Sequence, residues 1–257
     1  TITGDATAVD TLSLSTGANI SNSGTISGVT ALTLASGASV KLSASQNQNF
    51  TGIITAPGSE KITIAGDGTV TARSNIETYE LGDDTTNART MTLGSAALNL
   101  IANNASDTVT VNATALAQNT ALTITAASVS ALVVNSLKGN MAATQLSGSL
   151  AITTADAADN GISITTGSAA TSVDVAAGSV TDTVSIDATA LANNKALTIT
   201  SGSGVAGAVS ITGLTGNLVV SSPTGGTVNV AVTDNTVDHG IAITAGAANL
   251  AITGVAD

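Results

Sequence analysis

The sequence predicts an all-β protein, a parallel β-solenoid (β-helix) of short coils that carries internal repeats of about 75 residues. Three observations predict this fold: short segments of alternating aliphatic and polar residues, repeated motifs, and a composition of small side chains. The chain has 257 residues, of which 43% are hydrophobic, 1% aromatic and 9% charged. Disordered chains combine low hydrophobicity with high charge, so we expect this chain to fold.

The alternating segments indicate many short strands. In each of them Val, Ile or Leu alternates with Thr, Ser or Asn, which is the period of two of a half-buried strand. Gly, Asn, Asp and Ser between the segments predict turns. Five such segments are Lys61–Ala65, Thr108–Asn112, Ala121–Thr125, Thr183–Asp187 and Thr227–Ala231.

Repeats of two lengths divide the chain. Residues 107–125 recur at 182–200 with 14 of 19 positions identical, whereas residues 9–18 recur at 29–38, only 20 residues later. Internal repetition at such periods is typical of solenoids. We therefore expect an N-terminal β-solenoid region, residues 1–93, with coils of about 20 residues, and a long-repeat region, residues 94–257, continuous with the first.

The long repeat makes a geometric prediction. Residues 107–181 and 182–257 should form equivalent stacks, with Asp107 matching Asp182 and Leu116 matching Leu191. Motifs further along recur at spacings of 77 and 79 residues. Because a one-residue slip would expose every core side chain of a strand, we expect the extra residues in turns.

Composition favours a solenoid over a Greek-key sandwich or a closed barrel. Sandwich cores are anchored by large residues, but here the aromatic residues are Phe50 and Tyr79 alone. Stacked Ala, Val, Ile and Leu fill the narrow interior of a coil, and 20–25 residues per coil would give roughly 10–13 coils. The Ala-rich segments Ala113–Asn119 and Ala188–Asn194 are expected to form short turns or corners.

Charge and composition exclude several classes of function. Seventeen acidic residues against six basic ones give a net charge of −11, which disfavours nucleic acid as a partner. The sequence has no apolar run of about 20 residues, so we expect no transmembrane segment. Without Cys and with a single His, most nucleophile–base pairs and zinc sites lack their reagents, and we expect no enzyme.

Three segments resemble the β-strand repeat regions of large secreted bacterial surface proteins, such as surface-layer proteins and adhesins of the RTX type. They are Gly28–Gln46, Glu60–Thr69 and Ile76–Gly82. The resemblance implies an extracellular wall, sheath or fibre component, often stabilised by calcium. The glycine-rich calcium-binding nonapeptide of haemolysin-type proteins does not occur, and its closest fragment is Gly66–Gly68.

Asp residues in turns are the candidate metal ligands. Calcium takes six to eight oxygen ligands, which carboxylates on adjacent coils would provide together with turn carbonyls. Asp also favours turns because its side chain bonds nearby backbone N–H groups, so turn formation is the alternative explanation. The candidates for calcium are Asp67, Asp83, Asp84, Asp107, Asp182, Asp234 and Asp238.

Catalytic and ice-binding readings have less support. His239 would be the base of a Ser-His-Asp triad, but the earlier copy has Asn160 at this position. The acids Glu77 and Glu80 would form a glycosidase pair, although a solvated strand face explains them as well. Thr-x-Thr motifs resemble those of solenoid ice-binding proteins, but here they skip coils, and the β-propensity of Thr also accounts for them.

The sequence therefore predicts a non-enzymatic structural component of an extracellular bacterial surface assembly, a surface layer, sheath or filament. Its self-association would use β-solenoid stacking, because open solenoid ends expose unpaired backbone groups. Residues Thr1–Thr3 and Leu250–Asp257 look like ordinary strands, so no polar cap is expected at either end. The alternative is an adhesin module at the cell surface that binds a surface glycan or ice, and cell-surface polysaccharide is a further partner to consider.

Overall fold

The computed structural model contains twenty-five short strands and one helix within its described residues. Strands make up 57% and helix 3% of the structure, and nearly all strand pairs are parallel. The coils repeat every ~21 residues and form a β-solenoid of about 10 turns, as predicted. The structure describes residues 2–5, 10–55, 58–82, 88–125, 127–155, 161–175, 183–201, 208–221, 227–233, 241–246 and 249–254.

One side of the solenoid is an eleven-stranded parallel sheet. With an inter-strand spacing of about 4.8 Å, its ten intervals span roughly 48 Å. Its strands in spatial order are β5 (Ser39–Ser43), β7 (Lys61–Ala65), β9 (Thr78–Leu81), β11 (Leu98–Ala102), β13 (Ala121–Thr125), β15 (Asn140–Ala142), β17 (Ile162–Thr165), β19 (Thr183–Asp187), β21 (Ala208–Leu214), β23 (Thr227–Val232) and β25 (Asn249–Gly254).

The other side is a nine-stranded parallel sheet whose strands alternate with those of the first along the chain. Each coil therefore contributes one strand to each sheet. The strands in order are β8 (Thr69–Thr71), β10 (Ala88–Thr92), β12 (Thr108–Asn112), β14 (Ala131–Leu137), β16 (Ser149–Thr154), β18 (Thr171–Val175), β20 (Ala196–Ser201), β22 (Asn217–Ser221) and β24 (Ile243–Ala245).

Smaller elements precede these sheets. A two-stranded sheet pairs β1 (Ile2–Thr3) with β3 (Ile26–Ser27). A three-stranded sheet contains β2 (Asp10–Leu14), β4 (Val29–Leu34) and β6 (Gly52–Thr55). Strand pairing is continuous from β5 to β25, while the regional division at residue 93 stays a prediction.

The core consists of aliphatic ladders between the two long sheets. Inward and outward side chains alternate along the strands, so each core residue stacks on its equivalent in the next coil. One ladder of the eleven-stranded sheet contains Leu98, Leu122, Met141, Ile164, Ile186, Ile211, Val230 and Ile252. Phe50 and Tyr79 are fully buried, so the two aromatic rings also belong to the core.

Helix α1 (Ala44–Asn49) lies beside the first strand of the nine-stranded sheet. Ser43 is its N-cap, and the side chains of Ser43 and Gln46 form a capping box. The amide nitrogen Nδ2 of Asn47 donates to the carbonyl oxygen of Thr71 at 2.9 Å, and Nε2 of Gln48 donates to that of Thr69 at 3.1 Å. The prediction that no polar cap occurs was therefore wrong for this sheet edge, where side-chain amides take the place of a neighbouring strand.

The long repeat spans seven strands, an odd number. Strand β12 recurs as β19 and β13 recurs as β20, so each copy lies in the opposite sheet from its predecessor. Corresponding registers agree, since Met141 pairs with Ile164 and Leu218 pairs with Ile243. The two copies are therefore related by about half a turn around the solenoid in addition to a shift along it.

Local features confirm that the copies are equivalent. Each has a register irregularity at the same place, where Ser136 (φ 57°) and Gly213 (φ 64°) adopt the left-handed conformation. The N–H of Leu116 donates to Ala113 at 3.0 Å, as that of Leu191 does to Ala188. The Ala-rich segments are turns, as predicted, and the extra residues of the later copy lie in connections. Asp182 lies outside the described residues, so its match to Asp107 stays a prediction.

Candidate functional site

The predicted calcium ligands lie in connections between the sheets. Asp67 is exposed in the turn between β7 and β8, whereas Asp107 is buried just before β12. The part of the chain that the structure describes contains no group of three or more His, Asp or Glu residues close enough to hold a metal ion. The remaining candidates lie outside the described residues: Asp83, Asp84, Asp182, Asp234 and Asp238. Calcium binding therefore stays a prediction.

The two acids considered for sugar cleavage have separate partners. Oε2 of Glu80 accepts from Nζ of Lys61 at 2.7 Å and from Oγ1 of Thr63 at 3.2 Å. The hydrogen bond from Lys61 lowers the pKa of the Glu80 carboxyl, which keeps it ionised. Oε2 of Glu77 accepts from the backbone N–H of Glu60 at 2.9 Å. His239 lies outside the described residues.

Sequence reasoning missed a buried arginine at a corner of the solenoid. Arg89 is 2% exposed, and its Nη2 donates to the carbonyl oxygens of Gly82 at 2.8 Å and Ile64 at 3.4 Å. Its Nη1 donates to the carbonyl oxygen of Gly66. These bonds hold two successive connections together. The signal was present in the sequence, because Arg89 is in phase with the core residue Met91 on β10.

A polar cavity of about 560 Å³ lies between β6 and the connections of the next coils. Arg73 lines it, and Nη2 of this residue donates to the carbonyl oxygen of Asn47 at 2.9 Å, near the C-terminal end of α1. The other lining residues are Thr51, Gly52, Ile53, Ala72, Ser74, Asn75, Gly94 and Ser95. None of them is aromatic, so the cavity offers no ring on which a sugar could stack.

Threonine rows occupy part of the outer face of the nine-stranded sheet. Thr69, Thr90 and Thr110 stack in register on the adjacent strands β8, β10 and β12. The motif does not skip coils there, but the row continues with Val133 on β14. The Thr patch is therefore limited to three strands.

The last described strands, β24 and β25, form an open sheet end. Ile252 continues the core ladder through its pairing with Val230, yet 51% of its surface is exposed. Ile243 and Leu250 beside it are only partly buried. This end of the described solenoid, unlike the edge covered by α1, presents aliphatic side chains and strand backbone for a further coil.

Comparisons with known proteins give no relative. No family model matches the chain, and no curated protein or solved structure matches it. Among the described residues no helix has the length and apolar character needed to cross a membrane. The candidate functional surface is thus defined by geometry, namely by the open sheet end.

Proposed function

We propose that this protein is a non-enzymatic structural component of an extracellular bacterial surface assembly, such as a surface layer, sheath or filament. The observation that carries the proposal is the aliphatic ladder that passes through eight strands of the eleven-stranded sheet and is exposed at Ile252. A coil of a solenoid contacts only its neighbours, so an exposed ladder is stabilised by another coil. A rod built in this way is suited to association with other copies.

The composition of the described surface supports a structural role. The outward-facing row that runs from Thr69 to Thr244 across the nine-stranded sheet consists of Thr, Ser, Ala and Val and contains no charged side chain. Such a flat, uncharged row permits side-by-side packing of sheets about 10 Å apart. An extracellular location is consistent with a chain that has no Cys to oxidise.

Sedimentation and imaging test the assembly. Analytical ultracentrifugation across a series of salt and calcium concentrations should show association that strengthens as the net charge of −11 is screened. Negative-stain images of native material should show a lattice or filament, and antibody should label intact cells. A monomer under every ionic condition, together with labelling only after cell lysis, would contradict the proposal.

A second candidate is an adhesin module that binds ice or a surface glycan. The in-register Thr patch on β8, β10 and β12 favours ice among these ligands, since its hydroxyl and methyl groups form a regular array. Burial of both Phe50 and Tyr79 leaves no aromatic platform for a glycan. Thermal hysteresis in the cold would support ice binding, and a glycan array would detect a polysaccharide partner.

A further inference from the structure

The open end of the solenoid has a structural equivalent inside the same chain. One long repeat earlier, β17 and β18 correspond to β24 and β25. The N–H of Ser163 donates to Oδ1 of Asn140 at 2.9 Å, and the N–H of Ala242 donates to Oδ1 of Asn217 at 3.0 Å. The equivalent strands therefore share both their register and this side-chain contact.

The internal equivalent shows what covers such an end. Ile164 of β17 pairs with Ile186 of β19, and Val173 of β18 pairs with Ile199 of β20. Val173 is 0% exposed, whereas its counterpart Ile252 is 51% exposed. The difference in exposure comes from the strand pair β19 and β20, which covers β17 and β18.

From this equivalence we propose that the open end formed by β24 and β25 binds a polypeptide segment with the sequence pattern of residues 183–201, contributed by another molecule that carries this repeat. The first strand of the segment pairs with β24 and places the equivalent of Ile186 on Ile243. Its second strand pairs with β25 and places the equivalent of Ile199 on Ile252. The proposal rests on the proposed function, since it names the partner for self-association.

The chemistry of this end fits such a segment better than other ligands. Parallel strand addition satisfies the backbone groups of β24 and β25, and alternate side chains provide specificity. Because the repeat contains an odd number of strands, the bound copy of β19 would join the nine-stranded sheet, although β19 itself lies in the eleven-stranded one. This exchange of sheets distinguishes the proposal from simple duplication of whole coils.

The test uses a synthetic peptide of residues 179–206 added to the full chain. Hydrogen exchange measured by mass spectrometry should become slower by about tenfold or more in β24 and β25, while exchange in β12 and β13 stays unchanged. The control peptide carries Ile186→Asp and Ile199→Asp, which place charges against the ladder, and it should give no protection. Equal protection by both peptides would overturn the proposal.

A second form of the experiment guards against a peptide that stays insoluble. Residues 179–206 are fused after Asp257, with and without the same two Asp substitutions, and exchange in β24 and β25 is measured again. Protection in the fused protein but not with soluble peptide would overturn the intermolecular part of the proposal. Protection in neither form would overturn the whole proposal.

The outcome is separable from that of the proposed function. If the peptide protects β24 and β25 but the native chain sediments as a monomer under all conditions, the binding end stands and the assembly fails. If the native chain assembles and the peptide neither protects β24 and β25 nor competes with assembly, the assembly uses another surface.

Discussion

Replacement of Asn47 tests whether side-chain amides seal the first edge of the nine-stranded sheet. Asn47 is 0% exposed, and its Nδ2 donates to the carbonyl oxygen of Thr71 at 2.9 Å. Its Oδ1 accepts from the hydroxyl of Tyr79 at 3.3 Å. In Asn47→Ala both partners lose a bond in a buried place, and each unsatisfied group costs about 1–3 kcal/mol. We expect the free energy of unfolding to fall by about 3 kcal/mol.

The matched control is the neighbouring residue on the exposed side of the helix. Gln48 also donates to the sheet edge, at 3.1 Å from the carbonyl oxygen of Thr69, but it is exposed. Water replaces its bonds in Gln48→Ala, so the loss should stay below about 1 kcal/mol. Urea unfolding monitored by circular dichroism measures both losses, and hydrogen exchange at β8 locates them. Equal losses in the two variants, or a loss below 1 kcal/mol for Asn47→Ala, would refute the edge-cap argument.

Three further predictions follow from the structure. Leu116→Ala and Leu191→Ala occupy equivalent buried corners and should each cost about 2–5 kcal/mol, with midpoints in urea that shift alike; clearly different costs would contradict the equivalence of the two copies. Glu80→Gln should cost at most about 1 kcal/mol at neutral pH, because its partner Lys61 is also partly exposed. Since the folded-state pKa of Glu80 lies below its usual 4.5, wild-type stability gained from this pair is present above pH 4.5 and disappears as pH falls through the folded-state value, so the two proteins should converge in acid. Calcium bound at the Asp-bearing connections should make the melting temperature fall when a chelator is added, and an unchanged melt would leave Asp in its turn-forming role.

The strands and the core could be predicted from the sequence because alternation and small side chains act locally. In Thr108–Asn112, each Val faces the core and each Thr faces outward, as the pattern predicts. Helix α1 was missed although Ser43 and Gln46 have the spacing of a capping box, a signal for a helix start. Arg89 was missed because its buried charge is satisfied by carbonyl oxygens of Gly66 and Gly82, which are distant in sequence.

The exchange of sheets between repeats depends on the ratio of two lengths. A repeat of 75 residues divided by a coil of ~21 residues gives about three and a half coils, so the structural unit of repetition is the single strand with its connection. Sequence reasoning with coils of 20–25 residues could not separate three coils from three and a half. The two sheets must therefore accept the same sequences, and their registers show that they do.

This exchange determines how the repeat displays its surface residues. Oδ1 of Asn112 accepts from the N–H and the hydroxyl of Thr114 at 3.1 and 2.6 Å, and Oδ1 of Asp187 accepts from Thr189 in the same way at 3.0 and 2.6 Å. The turn is the same, but the first lies on the nine-stranded side and the second on the eleven-stranded side. A motif that is kept in every copy thus appears on both sides of the rod, and on each side only in alternate copies. Contacts between rods that depend on such a motif would recur along one side at intervals of seven coils, roughly 34 Å at 4.8 Å per coil.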